Sequence, residues 1–225
     1  MGALTLVIGN KHYSSWSLRP WLAMKQVGLE FEEIRIPLDT SETRQQILQY
    51  SPSGRVPVLI HQGLTIWDSL AICEYLAEQF SDQYWYPPNR EARAIAHSIS
   101  AEMHSGFSSL RHYMPLDCRS RYPGAGRTPE VLADIARVTA IWRDCRQRFG
   151  ATGDFLFGNF TLADAMYAPV ISRFVTYDVA VDPISQAYVD AIWNLPAMQE
   201  WITAAIAEPE VIPPQYLALT EPASH

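Results

Sequence analysis

Three hydroxyls stand where a short apolar run gives way to a helical pattern, in His12-Tyr13-Ser14-Ser15-Trp16-Ser17-Leu18-Arg19-Pro20-Trp21, with neither an acid nor a cysteine among them. Hydroxyls at a helix start can donate to an anion, which also gains from the helix dipole, so the stretch suits anion stabilisation without a general base. The same residue types cap helices, and Ser14, Ser15 and Ser17 are equally candidates for that role. Tyr13 is a rival hydroxyl. Further on, Asp68-Ser69 opens an amphipathic pattern, where free N–H groups and the dipole favour an anion or where the two are simple caps. Arg55 precedes Val56-Pro57 and either meets an anion or lies solvated. His104, Phe107, Ser108 and Arg111 are spaced i, i+3, i+4 and i+7 and would share one helical face. Such a polar face fits a substrate pocket, a polar rim or a subunit contact.

These groups need a scaffold, and the patterning supplies one. The run at 4–8, LTLVI, is short, continuous and apolar, as in a strand buried on both faces. A helix follows, beginning at Ser15 to Ser17 because Pro20 is tolerated in a first turn, and stopping at Gly28. FEEIRI at 31–36 alternates as a half-exposed strand, and 41–50 reads as a short polar helix. Residues 56–68 read as two strands joined at Gln62-Gly63, handing over to a helix capped by Asp68 or Ser69 and running to Phe80. The order is βαβαββα. The paired prolines of 81–90 make the best linker. Beyond it only helical patterns occur, at 91–114, 128–149, 161–175, 184–193 and 196–207, with Thr161 and Asp164 at N-cap to N3 spacing. Two domains are expected, an α/β unit over 1–82 and an all-α unit over 91–225, with 83–90 between them.

The 24 acidic and 17 basic residues leave a formal charge of −7, with lysine and arginine dispersed, which makes nucleic acid an unsuitable partner. Cys73, Cys118 and Cys145 are far apart and lack metal-ligand spacing, so neither a disulfide framework nor a metal site is expected. No apolar run reaches the ~18 residues of a membrane span. A cytoplasmic protein without membrane partners is the expectation.

Four segments, in this order and spacing, resemble the cytosolic glutathione transferases, in a bacterial-type member. SSWSLR at 14–19 is similar to the Ser-Ser-Cys-Ser-x-Arg motif of the zeta class, and GRVPVL at 54–59 to the loop with a cis proline. WDSLAICEYL at 67–76 is similar to the acid-serine segment that holds the glutamyl end of glutathione, and GNFTLADAMYAPVISRF at 158–174 to the capping box of the helical domain. The resemblance implies a thioredoxin-like α/β domain joined to an all-α domain, a homodimer, and glutathione as cosubstrate with no metal. It implies Ser14 as partner of the glutathione thiolate and Ser15 as a supporting donor. It also implies Val56 and Pro57 against the cysteinyl backbone, Arg55 on a carboxylate, Asp68 on the glutamyl ammonium and Ser69 on its carboxylate. Arg19 matches the motif's arginine. Tyr13, Trp16, His104, Phe107, Ser108 and Arg111 would border the second substrate, a small electrophile. Trp16 stands where the zeta class has cysteine, a departure that bears on isomerase activity. Conjugation of glutathione, a glutathione-dependent cis-trans isomerisation, and a non-catalytic binding module on the same fold are the readings carried forward.

Overall fold

The structure is a computed structural model and describes residues 3–211; the outer ends of the two expected domains lie outside the described residues. The α/β half runs β1 (Leu4–Ile8), α1 (Ser15–Gln26), β2 (Glu32–Arg35), α2 (Thr43–Leu48), β3 (Val58–His61), β4 (Leu64–Trp67) and α3 (Ser69–Gln79). The sheet order is β2-β1-β3-β4, with β1 and β2 parallel and the other neighbours antiparallel. Strand β1 is central and buried on both faces, which is why its sequence is unbroken apolar. Leu4, Leu6 and Ile8 join the core beneath α1 and α3, whereas Val7 packs with Val58, Ile36 and Ile47 beneath α2. The β3–β4 turn uses positive φ at both Gln62 and Gly63, the pair of left-handed residues that a tight hairpin requires.

The helical half comprises α4 (Arg90–Ser105), α5 (Ser108–Tyr113), α6 (Pro129–Phe149), α7 (Leu162–Tyr177), α8 (Pro183–Trp193) and α9 (Pro196–Ala207). Helix α7 is almost entirely buried, and α1 packs on both α7 and α9. One apolar core therefore continues from the sheet into the helices, through Leu18, Trp21 and Leu22 on one side and Tyr167, Phe174 and Trp201 on the other. At the start of α7 the buried Asp164 carboxylate accepts four hydrogen bonds, from Thr161 N and Oγ1, Leu156 N and Tyr188 Oη, at 2.7–3.1 Å. The sequence pairing of Thr161 with Asp164 is thus a capping device that also ties down a neighbouring loop and α8.

Two local expectations are corrected. The helix expected over 91–114 is two helices, because Gly106 closes α4 and Phe107 takes a left-handed conformation with φ 56°. A Cβ at Gly106 would come within 2.7 Å of the Glu102 carbonyl oxygen, so the close turn there needs glycine. Consequently His104, Phe107, Ser108 and Arg111 do not share one helical face. The expected start between Ser15 and Ser17 is met, α1 beginning at Ser15, but that start places Pro20 in the second turn and not the first. Its missing N–H removes the i+4 donor to the Trp16 carbonyl, and the helix start is set instead by Ser14 as N-cap.

Candidate functional site

A cleft of about 550 Å³ opens between the carboxyl end of the sheet and α4, lined by Trp16, Ser53, Arg55, Val56, Pro57, Trp67, Asp68, Ser69 and His104. Three loops build it. The first is the turn before β3, where the Ser53 hydroxyl accepts the Arg55 N–H at 3.2 Å and the Val56-Pro57 bond is cis. The second is the β4–α3 junction. Asp68 has φ 77°, a conformation costly for a non-glycine residue and common at functional sites. Its Oδ1 caps α3 by accepting Leu70 N at 2.9 Å and Ala71 N at 3.2 Å. Its Oδ2 lies 3.1 Å from His104 Nε2, across on α4. Burial lowers the His104 pKa below its ordinary 6.5, against the pull of Asp68 in the other direction. The neutral ring therefore presents its Nε2–H to the carboxylate at pH 7.

The third is the start of α1. Ser14 is buried and caps the helix: its Oγ accepts the Ser17 N–H at 3.4 Å and lies 2.7 Å from Ser17 Oγ. Ser17 Oγ in turn accepts the Gly9 N–H at 3.1 Å. Trp16 projects into the cleft wall, with the Arg19 guanidinium 4.2 Å and that of Arg111 5.3 Å from its ring centroid and the His104 ring edge-on at 5.3 Å. Arg19 is 1% exposed and donates from Nη1 to Ser69 Oγ at 3.4 Å, while its Nε has no partner among the described residues. Burial, with Arg173 and Arg111 nearby, lowers its pKa to about 9, so it is still a cation at neutral pH. A positive charge thus sits directly behind the serine at the α3 N-terminus, where the dipole already favours an anion.

Of the residues singled out in the sequence, Trp16, Arg55, Val56, Pro57, Asp68, Ser69 and His104 meet in this one cleft. Ser14 and Ser15 are buried at the start of the helix that carries Trp16, outside the cleft lining. Arg111 supports the wall from behind, donating to the carbonyls of Met103 and His104 at 3.4 and 3.2 Å. Phe107 is buried in the core, Ser108 is exposed outside the cleft, and Tyr13 packs edge-on against His12. Sequence reasoning missed Ser53 and Trp67. Their signals were slight: Ser53 lies in the Ser-Pro-Ser-Gly turn, and Trp67 is a large aromatic that stays 46% exposed beside the acid-serine pair.

The chain's own thiols are unsuited to nucleophilic work. Cys73, Cys118 and Cys145 are buried, and burial pushes Cys73 far up and the other two to about 12, so all three stay protonated. Among the described residues no group of three or more His, Cys, Asp or Glu is placed to hold a metal ion. None of the described helices is long and apolar enough to cross a membrane.

Comparison with known proteins decides the family. Residues 13–79 match the glutathione S-transferase N-terminal domain and residues 109–204 its C-terminal domain. The maleylacetoacetate isomerase of Rattus norvegicus is 34% identical over 75% of this chain and 77% of its own length. The glutathione S-transferase 1 of Dianthus caryophyllus is 32% identical over 79% and 82% respectively. The chain belongs to the glutathione S-transferase family. Its fold agrees with the glutathione transferase fold of a homologue from Burkholderia, solved with bound glutathione, at a TM-score of 0.69, covering 90% of this chain and 98% of that one at 24% identity. The α/β half followed by an all-helical half is thus the arrangement of a glutathione transferase.

Proposed function

We propose that the chain is a glutathione transferase that holds the tripeptide along this cleft and presents its sulfur, as thiolate, to a small electrophile near Trp16. The observation that carries the reading is the convergence of the cis Val56-Pro57 loop, Arg55 and the Asp68-Ser69 helix start on one cleft, next to the helix opened by the serines. Glutathione offers backbone amides, an ammonium and two carboxylates, and each has a counterpart. The Val56 backbone pairs with the cysteinyl residue as an added strand would. Asp68 Oδ2 takes the ammonium, Ser69 with the α3 N-terminus and Arg19 takes the glutamyl carboxylate, and Arg55 takes the glycyl one.

The thiol needs help, since an unperturbed cysteine of pKa ~8.5 is only a few per cent ionised at neutral pH. The serine network supplies it. The Gly9 N–H donates to Ser17 Oγ, and either hydroxyl of the Ser14–Ser17 pair can donate to the other; when Ser17 Oγ–H donates, the Ser14 proton is left to point at the thiolate, and each bond polarises the next. Ser15 adds a second donor at the same helix start. The thiolate then attacks the electrophilic carbon, a carbon–sulfur bond forms, and the leaving group departs with its electron pair. A carboxylate here would repel the thiolate, and a cysteine would invite a mixed disulfide, which accounts for the absence of both.

A second reading, glutathione-dependent cis-trans isomerisation, is favoured by the likeness to maleylacetoacetate isomerase. There the thiolate adds to a conjugated double bond, the carbon–carbon bond rotates, and elimination returns glutathione. The indole of Trp16 between Arg19 and Arg111 reduces the room beside the sulfur, which supports conjugation as the first reading. The family also carries the expectation of a homodimer in the cytoplasm with a role in detoxification; light scattering at micromolar concentration tests the pairing. Retention on immobilised glutathione, abolished in the D68A/S69A double variant, with turnover of chlorodinitrobenzene, supports the transferase. Retention without turnover of that substrate or of a maleyl ketone would leave the binding module as the better description.

A further inference from the structure

The turn that delivers the serines is held from the far end of the chain. One residue beyond α9, the Glu208 carboxylate accepts the Lys11 N–H through Oε1 at 2.8 Å and the His12 N–H through Oε2 at 3.0 Å. The carbonyls of the same two residues are also taken by the helical half. Lys11 C=O accepts the Trp201 indole N–H from α9 at 2.9 Å, and His12 C=O accepts the Cys118 N–H at 3.4 Å. The His12 ring, 1% exposed, sets its Nε2 3.1 Å from Asp117 Oδ1. Arg119 closes the circuit by donating to the Glu208 backbone carbonyl.

Nothing in the α/β half holds the N–H groups of Lys11 and His12 among the hydrogen bonds of the described residues. The next two amides, Tyr13 N and Ser14 N, fold back onto the Asn10 carbonyl at 3.2 and 2.8 Å, and α1 starts immediately after. The geometry of Ser14 and Ser15 is therefore the continuation of a turn whose two free donors are paired by a single side chain. Glu208 is nine-tenths buried, and a carboxylate so placed is retained at a cost unless its hydrogen bonds matter. It does not line the cleft, and with its side chain committed to two backbone donors it has no contact with the reacting atoms.

We propose that Glu208 is a positioning residue for the serine turn: its carboxylate fixes the Lys11-His12 backbone and thereby sets where Ser14 and Ser15 meet the glutathione thiolate. The segment after α9 thus governs catalysis without touching substrate. This rests on the reading of Ser14 and Ser15 as the thiolate partners.

Two variants of the full chain test it. E208Q keeps the volume and one acceptor but turns its amide N–H₂ against the other backbone N–H, and E208A leaves both donors bare. Amide hydrogen exchange of peptides covering residues 9–17 is expected to quicken in both variants, while exchange in α6 is unchanged. Measured well below the melting temperature, kcat/KM for conjugation is expected to fall about tenfold in E208Q and further in E208A, with the apparent pKa of the bound thiol moving up. Unchanged exchange in the turn would overturn the proposal. Faster exchange with a wild-type kcat/KM and pH profile would also overturn it, reducing Glu208 to a merely stabilising residue. A wild-type protein that forms no glutathione thiolate refutes the proposed function and the catalytic half of this proposal with it. The exchange result still separates that failure from the absence of the clasp.

Discussion

Replacing Ser14 with alanine separates the two roles a hydroxyl can play at this helix start. As a cap, Ser14 accepts one long bond, from Ser17 N at 3.4 Å, so the stability lost with it is near the low end of the capping range, about 0.5–1 kcal/mol. As a donor to a thiolate it makes a charge-assisted hydrogen bond, worth ~1.5–3 kcal/mol in its favourable geometry. Removing the latter raises the pKa of the bound thiol by about one to two units. At a pH below both values the thiolate fraction, and with it kcat/KM for chlorodinitrobenzene, falls about 10- to 100-fold. The loss shrinks as the pH rises, because the alanine variant reaches the same ionised state at a higher pH. The assay is the pH profile of kcat/KM for wild type and S14A, with melting temperatures recorded alongside. S17A, which removes the bond behind Ser14, is expected to shift the same profile in the same direction by less. A wild-type pH profile in S14A, with only the small capping loss in stability, would refute the thiolate role.

Other consequences can be checked in parallel. R19M is expected to weaken glutathione binding about tenfold by isothermal titration while leaving stability close to wild type or higher, because Arg19 is a buried cation with no carboxylate in hydrogen-bond reach among the described residues. W16C removes two cation–π contacts, each about 0.5–1 kcal/mol at most sites, and opens space beside the sulfur; turnover of a maleyl ketone relative to chlorodinitrobenzene is expected to rise. D164N is expected to destabilise the fold by ~3–5 kcal/mol in urea titrations, because it turns a donor against four groups already donating to that buried carboxylate. Burial lowers His12 and His104 below the ordinary 6.5, so between that value and the folded one the unfolded chain holds protons that the native chain does not. Stability is therefore full above about pH 6.5 and lost as the pH falls beneath it, and H12N should flatten the slope of unfolding free energy over that range.

Elements with a strict period were legible from sequence. The unbroken run of β1 and the stripe of α3 came out within a residue of their ends because burial on two faces or one leaves that pattern. The break after Ser105 was not, because the pattern of apolar residues continues through it; only Gly106 marks it, and its closeness to the Glu102 carbonyl is a three-dimensional fact. That break explains why His104 reached the cleft while Phe107 and Ser108 did not. The loops that meet in the cleft were legible through resemblance and short motifs, since each is contiguous in sequence. The reach of Arg111 to Trp16 and the Glu208 clasp were hidden for the opposite reason: they join residues 95 to 197 positions apart, and no local period records such a pairing. The start of α1 fell inside the expected Ser15–Ser17 window, but Pro20 lies one turn deeper than expected, because Ser14 as N-cap starts the helix at the early end of that window.

Whether the Ser14 hydroxyl holds the sulfur of glutathione, as we propose, is decided by a crystal structure of the protein with glutathione bound. Expected are the cysteinyl backbone along Val56, the glutamyl end at Asp68 and Ser69, and the sulfur within about 3.5 Å of Ser14 Oγ, a few tenths beyond the O–H···O range because sulfur is the larger atom. Sulfur resting against Tyr13, or glutathione lying in the cleft with its sulfur beyond hydrogen-bond reach of Ser14 Oγ, would contradict the proposal.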